Sequence, residues 1–380
     1  MELENLILGS YPFFSDESIE SIAADVKTML RSGRLTDGPY AQEFEGKFAE
    51  YNQIKHAVAV SSGSSALDVA LAYYRLEGAE VIVPTNTFIS DPNAVLLAGG
   101  KLVFADMNPD TLGIDVEDVK RKVSPRTKGV IVVHIAGLVC SQIQELKEFC
   151  NEKGIFLLED CAHAHGASLD GKKAGTFGDV GCFSFYPTKV MTACEGGMVI
   201  TNNDELAEEA KCLRTCGQNS ERAMVTLGHN WRMSELSAIV GKNQLEHLDE
   251  FIDNRNRIAR QYEEMLSDVS DVTLFKAAPN FRHSYYKYPL KLAEGIDRFK
   301  VAALMKDKFE VETGHVYYPP CHLHPYYLEH YRAKDGDLVN AERVLRQVLC
   351  LPMHAALTDE NVKYVVKSLV SSLKAVTSAP

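Results

Sequence analysis

Short, continuous apolar runs alternate with stretches of helical periodicity through the first half of the chain. The runs are HAVAV (56–60), EVIVP (80–84), KLVFAD (101–106), GVIVVHI (129–135), GIFLLED (154–160), GCFSF (181–185) and GMVIT (197–201). Most are apolar throughout and do not alternate with polar residues. That pattern predicts strands covered on both faces, hence a mainly parallel sheet flanked by helices. Helices are predicted between them: residues 64–75 after Gly63, 140–153 before the strand at 154, and 204–216 after the last strand. Residues 233–267 have helical apolar spacing and much charge, and read as one long helix or two leading into a smaller unit. Beyond them, 284–292 reads as a strand and 358–373 as a final helix, with Thr358, Glu360 and Asn361 supplying its start. The fold class is therefore α/β: a large domain over residues 1–250, with a helical N-terminal segment, and a smaller C-terminal α+β domain over 251–380. No internal repeat or low-complexity tract interrupts this order.

The totals narrow the function. Of 380 residues, 46% are hydrophobic, enough for a large core, and the net charge of −12 argues against bare electrostatic binding to nucleic acid or to an anionic membrane. No run approaches the ~20 apolar residues of a membrane span. The N-terminal stretch carries acid where a signal peptide carries base, so a cytoplasmic protein is expected. The nine cysteines are scattered without a C-x-x-C pair, which fits reduced thiols better than a disulfide framework.

Three stretches carry candidate chemistry. SSGSSALDVAL (61–71) leaves a strand and opens a helix, and the backbone N–H groups of Ser64 and Ser65 at that helix start could cradle a phosphate. It is neither a dinucleotide fingerprint nor a nucleotide P-loop. A serine N-cap explains the same residues equally well. In FLLEDCAHAHGA (156–167), Asp160 ends a hydrocarbon strand, at the edge where α/β proteins place ligands. Such an aspartate needs a cationic or donor partner, unless it caps the next helix and His163 is a core histidine. The spacing of His163, His165, His322 and His324 matches no metal signature, and no metal is expected. In CFSFYPTKVMTACEGGMVITN (182–202), Lys189 sits between apolar runs. A lysine there either snorkels to water or is held with a depressed pKa for Schiff-base chemistry. A lysine, an aspartate for a protonated pyridine nitrogen and a glycine-serine turn for a phosphate are together what pyridoxal phosphate requires.

With those residues in place, the chain resembles the fold-type I pyridoxal-phosphate enzymes, and within them the DegT/DnrJ/EryC/StrS sugar aminotransferases. The matching segments include GRLTDGPYAQEFE (33–45), SSGSSAL (61–67), PTNTFISDPNAVLLAGGKLVFADMNPDTLGID (84–115), LEDCAHAHGA (158–167), FSFYPTKVMTACEGGMVITN (183–202), GHNWRMSELSAIVG (228–241), YYPPCHLHPYY (317–327) and LPMH (351–354). The resemblance implies a large domain with a seven-stranded sheet. It implies Lys189 as the Schiff-base lysine and proton shuttle, and Asp160 as the partner of the pyridinium nitrogen. Phe88 would stack on the ring and His163 would contact the ring or its phenolic oxygen. Ser64, Ser65 and Ser184 would hold the phosphate. Asn230 would reach the phosphate of a neighbouring subunit, making a homodimer with shared sites. Tyr318 and His322 would lie near the substrate. Three stretches depart from the usual family pattern: Ser64-Ser65, Thr192-Ala193-Cys194 and IAGLVCSQI (135–143).

The activity so implied is transfer of an amino group, with L-glutamate as donor, to a keto-sugar that is most often nucleotide-linked. A keto-cyclitol or a sugar without a nucleotide is the alternative acceptor. A dehydratase on the same scaffold is disfavoured, because such relatives typically carry histidine at the position of Lys189.

Overall fold

The computed structural model describes residues 6–331 and 334–378. The seven predicted strands form one sheet. They are β1 (His56–Val60), β2 (Glu80–Pro84), β3 (Lys101–Ala105), β4 (Thr127–Val133), β5 (Phe156–Asp160), β6 (Val180–Ser184) and β7 (Gly197–Thr201), in the order β1-β7-β6-β5-β4-β2-β3. All run parallel except β7, which pairs antiparallel with both β1 and β6.

The continuous apolar runs now have a physical reason. Successive residues of one strand enter cores on opposite faces of the sheet. Val58, Val60, Ile131 and Val133 belong to one core, while Ala57, Ala59, Val130 and Val132 belong to the other. Both faces exclude water, so the few polar residues there, such as Glu159, need buried partners.

Helix α1 (Asp16–Ser32) is capped by Ser15, whose side chain accepts from the Ser18 N–H. It is followed by α2 (Pro39–Asn52), and α3 (Gly63–Tyr73) leaves β1. The predicted bridge over 233–267 divides at His247 into two helices, Glu235–Glu246 and Leu248–Leu266. The division placed after residue 250 falls in the first turn of the second. The C-terminal part holds a three-stranded antiparallel sheet, Val272–Leu274, Tyr288–Leu292 and Val348–Leu351. The predicted strand over 284–292 is thus confined to its second half, and residues 284–287 instead bond the turn that follows β4, through Ser284 N–H to Gly137 O and Lys287 N–H to Ala136 O. The last helix, Asp359–Thr377, has a reciprocal capping box between Thr358 and Asn361.

Candidate active site

A cavity of about 500 Å³ opens at the carboxyl ends of β1, β5 and β6. This is the sheet edge at which parallel strands present their ligands. Ser64, Phe88, Asp160, Ser184 and Lys189 all line it, although they span 126 positions of the sequence from first to last.

The phosphate-type cradle is built by the turn from β1 into α3. Gly63 approaches β6 so closely that a Cβ there would stand 2.5 Å from the Ser184 Cβ. Only glycine lets the two chains converge. Gly63, Ser64 and Ser184 thereby face one space at a helix N-terminus. Ser65 does not share it. Its N–H donates to the Ser62 Oγ at 3.1 Å, and its hydroxyl bonds the Ser62 N–H in a capping box. Ser65 is buried, and both of its local polar groups serve the cap. For this residue the helix-cap reading describes the structure and the cradle reading does not.

Lys189 sits in the connection between β6 and β7. That connection is pinned at its base by Phe185 N–H to Gly196 O (2.8 Å) and by Ala193 N–H and Thr192 Oγ1–H to Phe185 O (2.9 and 3.0 Å). Cys194 takes a left-handed turn, and its N–H bonds Thr192 Oγ1. Lys189 Nζ lies 4.8 Å from the Tyr286 ring centroid. Burial lowers its pKa from the ordinary lysine value, against the opposing pull of Tyr286 and Asp160. Asp160 is buried and its pKa is raised by that burial. The Ala162 N–H, 2.8 Å from its Oδ1, and the charge of Lys189 act the other way.

His163 stands behind the wall rather than in it. Its Nδ1 accepts from the Ala136 N–H at 3.1 Å, so the ring proton resides on Nε2 and donates to the Tyr317 hydroxyl at 2.9 Å. The ring stacks on Tyr286 with centroids 4.3 Å apart. Burial holds its pKa well below the usual histidine value, so it is neutral.

The two substrate-side residues are corrected. Tyr318 packs on Phe299 and the Arg298 guanidinium, and Tyr317 is the tyrosine that lines the cavity. His322 is 1% exposed, with Nδ1 at 2.7 Å from Thr85 Oγ1 and Nε2 at 2.9 Å from Glu342 Oε1. Both nitrogens are engaged, which makes it a core histidine. Asn230 is exposed and does not line the cavity of its own chain.

Tyr286, Lys287, Thr188 and Glu195 also line the cavity and were not foreseen. Tyr286 and Lys287 come from the segment read as strand, so their pattern pointed to the sheet. Asp91, in the first turn of helix α4 (Ser90–Leu97), is buried against Asp160. Nothing in the sequence hinted at it, because Ser90-Asp91-Pro92-Asn93 is an ordinary polar helix start.

Among the described residues, His134, Glu159 and Cys161 converge closely enough to hold a metal. Glu159 instead accepts from the Gly175 and Gly178 N–H groups and from the His134 ring, and the Cys140 N–H donates to His134 Nδ1. Burial keeps the Cys161 thiol un-ionised. A larger cavity of about 900 Å³ lies beside α2, lined by Arg75, Glu209, Arg214 and Glu45, which already pair with one another.

The residues fit pyridoxal phosphate. The glycine-tight helix start suits the phosphate, buried Asp160 suits a protonated ring nitrogen, and Lys189 offers a primary amine in the same space. The sequence matches the DegT/DnrJ/EryC1/StrS aminotransferase family over residues 16–370. It is 37% identical over 332 residues to the GDP-perosamine synthase of Vibrio cholerae, covering 86% of this chain and 89% of that protein. It is 32% identical over 381 residues to the spore coat polysaccharide biosynthesis protein SpsC of Bacillus subtilis, covering 96% of each. Its fold superposes on the aminotransferase TlmJ of Streptoalloteichus hindustanus with a TM-score of 0.91 at 31% identity, covering 98% of this chain and all of that one.

Proposed function

Because the chain belongs to the DegT/DnrJ/EryC1/StrS aminotransferase family, we propose that it transfers an amino group from L-glutamate to a nucleotide-linked keto-sugar, forming an amino sugar. It is a pyridoxal-phosphate-dependent transaminase. The observation that carries the reading is the meeting of Lys189, Asp160 and the Gly63–Ser64–Ser184 cradle in one cavity.

When bound, pyridoxal phosphate supplies an electron sink and a carrier for the amino group. The protein supplies the rest. Lys189, its pKa lowered by burial, is more readily available as the free amine than an exposed lysine, and can take a proton from the donor's α-carbon and return it. Asp160 presents a carboxylate at the cavity floor to hold a ring nitrogen in its protonated form. Gly63, Ser64 and Ser184 anchor the phosphate. Phe88 and Tyr317, whose rings lie 5.7 Å apart, form an aromatic wall. His163 donates to the Tyr317 hydroxyl and fixes that wall in place.

The acceptor class follows from the relatives, one of which is named for a GDP-linked amino sugar. Lys287 adds a cationic group to the cavity of an acidic protein, and its Nζ caps the His315 carbonyl at 2.7 Å. The functional unit is a homodimer in which Asn230, exposed on its own chain, completes the phosphate site of the partner.

The test is the visible absorption of the purified protein before and after L-glutamate. A yellow protein that bleaches supports the cofactor and the donor. A protein that stays colourless with added pyridoxal phosphate removes the reading. Keto-sugars offered with and without a nucleotide then settle the acceptor, and turnover of the free sugar or a keto-cyclitol would favour the alternative.

A further inference from the structure

Asp91 is wholly buried at the start of α4, directly behind the cavity floor. Its Oδ2 accepts from the Thr87 hydroxyl. Its Oδ1 is sealed from solvent and has no donor. The group within hydrogen-bonding reach is the carboxyl of Asp160, itself buried. Two buried carboxylates within reach of one hydrogen bond resist joint ionisation, and a carboxylate oxygen without a donor is costly to bury. One proton between them removes both problems, because an acid O–H donates to a carboxylate in a strong, charge-assisted hydrogen bond.

The structure also says which acid keeps the proton. Asp160 has the Ala162 N–H on Oδ1 and the charge of Lys189 nearby, both of which favour its anion. Asp91 has only the Thr87 hydroxyl, on Oδ2. The other titratable groups beside it are Lys189, Tyr317 and the thiols of Cys182 and Cys321, and burial keeps the tyrosine and both thiols un-ionised. None supplies a donor to Oδ1.

We propose that Asp91 is a positioning residue: held as the neutral acid, it donates its proton in a hydrogen bond to Asp160, keeping that carboxylate ionised and aimed at the ring nitrogen of the cofactor. The proposal rests on the cofactor reading above for its consequence, but not for the existence of the pair. A buried lone aspartate drifts toward its own neutral form. An aspartate that accepts from a second acid keeps its charge without needing water. The two acids together carry one negative charge, and that charge resides on the member facing the cavity.

Two variants separate donation from packing. Asp91→Asn retains an N–H donor toward Asp160, and Asp91→Ala removes it. We expect Asp91→Asn to keep cofactor dissociation within about threefold of the parent, and Asp91→Ala to weaken it about tenfold or more. The visible band of the Lys189-linked cofactor should keep its titration midpoint in Asp91→Asn and shift in Asp91→Ala. Wild-type behaviour of Asp91→Ala, or equal damage from both variants, overturns the proposal.

Infrared spectroscopy of the cofactor-free protein provides the arm that does not depend on Asp91→Ala folding. The carbonyl stretch of an un-ionised buried carboxylic acid should persist at neutral pH in the parent and vanish in Asp91→Asn. Its absence from the parent overturns the proposal even if the enzyme binds pyridoxal phosphate normally. Failure of the protein to take up pyridoxal phosphate would sink the cofactor reading instead, and the infrared band would still report on the pair.

Discussion

Loss of water acts on Lys189 and Asp160 in opposite senses: it moves Lys189 toward the free amine, and it moves Asp160 away from its carboxylate, which the Ala162 N–H and the charge of Lys189 favour. For Lys189 the stability consequence has a definite sign. Its folded pKa is lowered, so the unfolded chain binds the proton more readily, and the folded state is penalised at neutral pH and below. The penalty is lifted as pH rises through the interval between the lowered value and the ordinary lysine value. Lys189→Met should therefore raise the melting temperature of the cofactor-free protein at neutral pH while reducing transamination by about 10³-fold or more. Calorimetry and a turnover assay on the same preparation check both halves. Asp160→Asn should likewise reduce turnover by orders of magnitude while leaving the phosphate cradle able to hold the cofactor. These two residues were legible in the sequence because each is a charged group in an apolar run, and such a residue needs a reason. Tyr317, Tyr286, Lys287 and Asp91 were not, because their partners lie far away along the chain. His322 shows the converse. Its neighbourhood YYPPCHLHPYY suggested a substrate contact, but Thr85 and Glu342, which occupy its two nitrogens, are invisible from there.

The turn from β1 into α3 concentrates two tasks in a few residues, and they separate by mutation. Ser65→Ala should cost about 1 kcal/mol of stability through the cap, with little change in cofactor dissociation. Ser184→Ala should do the reverse, and thermal melts with cofactor titrations distinguish them. Gly63→Ala should weaken cofactor binding, because its Cβ would drive β6 and the helix start apart. The strands were readable because burial on two faces leaves an unbroken apolar signature. Strand direction was not, because antiparallel β7 has the same composition as its parallel neighbours. The hairpin Ser168–Leu169 and Lys172–Lys173, which pairs with Phe281–Arg282, is too short to show any period. The break at His247 was left open by the sequence for a related reason, since apolar spacing persists across it.

Across the whole molecule, buried histidines set the response to acid. Burial lowers His165 to about 3 and His283 and His354 to about 4, against an ordinary value of 6.5. The unfolded chain takes up these protons as pH falls below 6.5, while the folded chain does not until the lowered values are reached. The stability they contribute is thus complete above 6.5 and is lost on the way down, at about 1.4 kcal/mol per histidine per pH unit. Denaturant melts of the cofactor-free protein between neutral pH and pH about 5 should show this slope. At the level of assembly, mixing Lys189→Ala with Asn230→Ala subunits tests shared sites. A hybrid would hold one site with both residues intact, so activity should recover on mixing. If Asn230 served its own chain, no hybrid site would be whole and mixing would recover nothing.

The antiparallel course of β7 has one more effect. Because the chain returns into the sheet directly after Lys189, the lysine rides on a tether fastened at both ends, from Phe185 to Gly196. Such a tether cannot lengthen or swing out to meet a bulkier guest. Tyr286, Lys287 and Tyr317, which face it, arrive from a different part of the chain and hang on the smaller sheet. The lysine tether and the residues facing it are therefore written in separate passages of the sequence. The second can be rewritten, by exchange of the segments around 284–287 and 315–318, while the first keeps its reach.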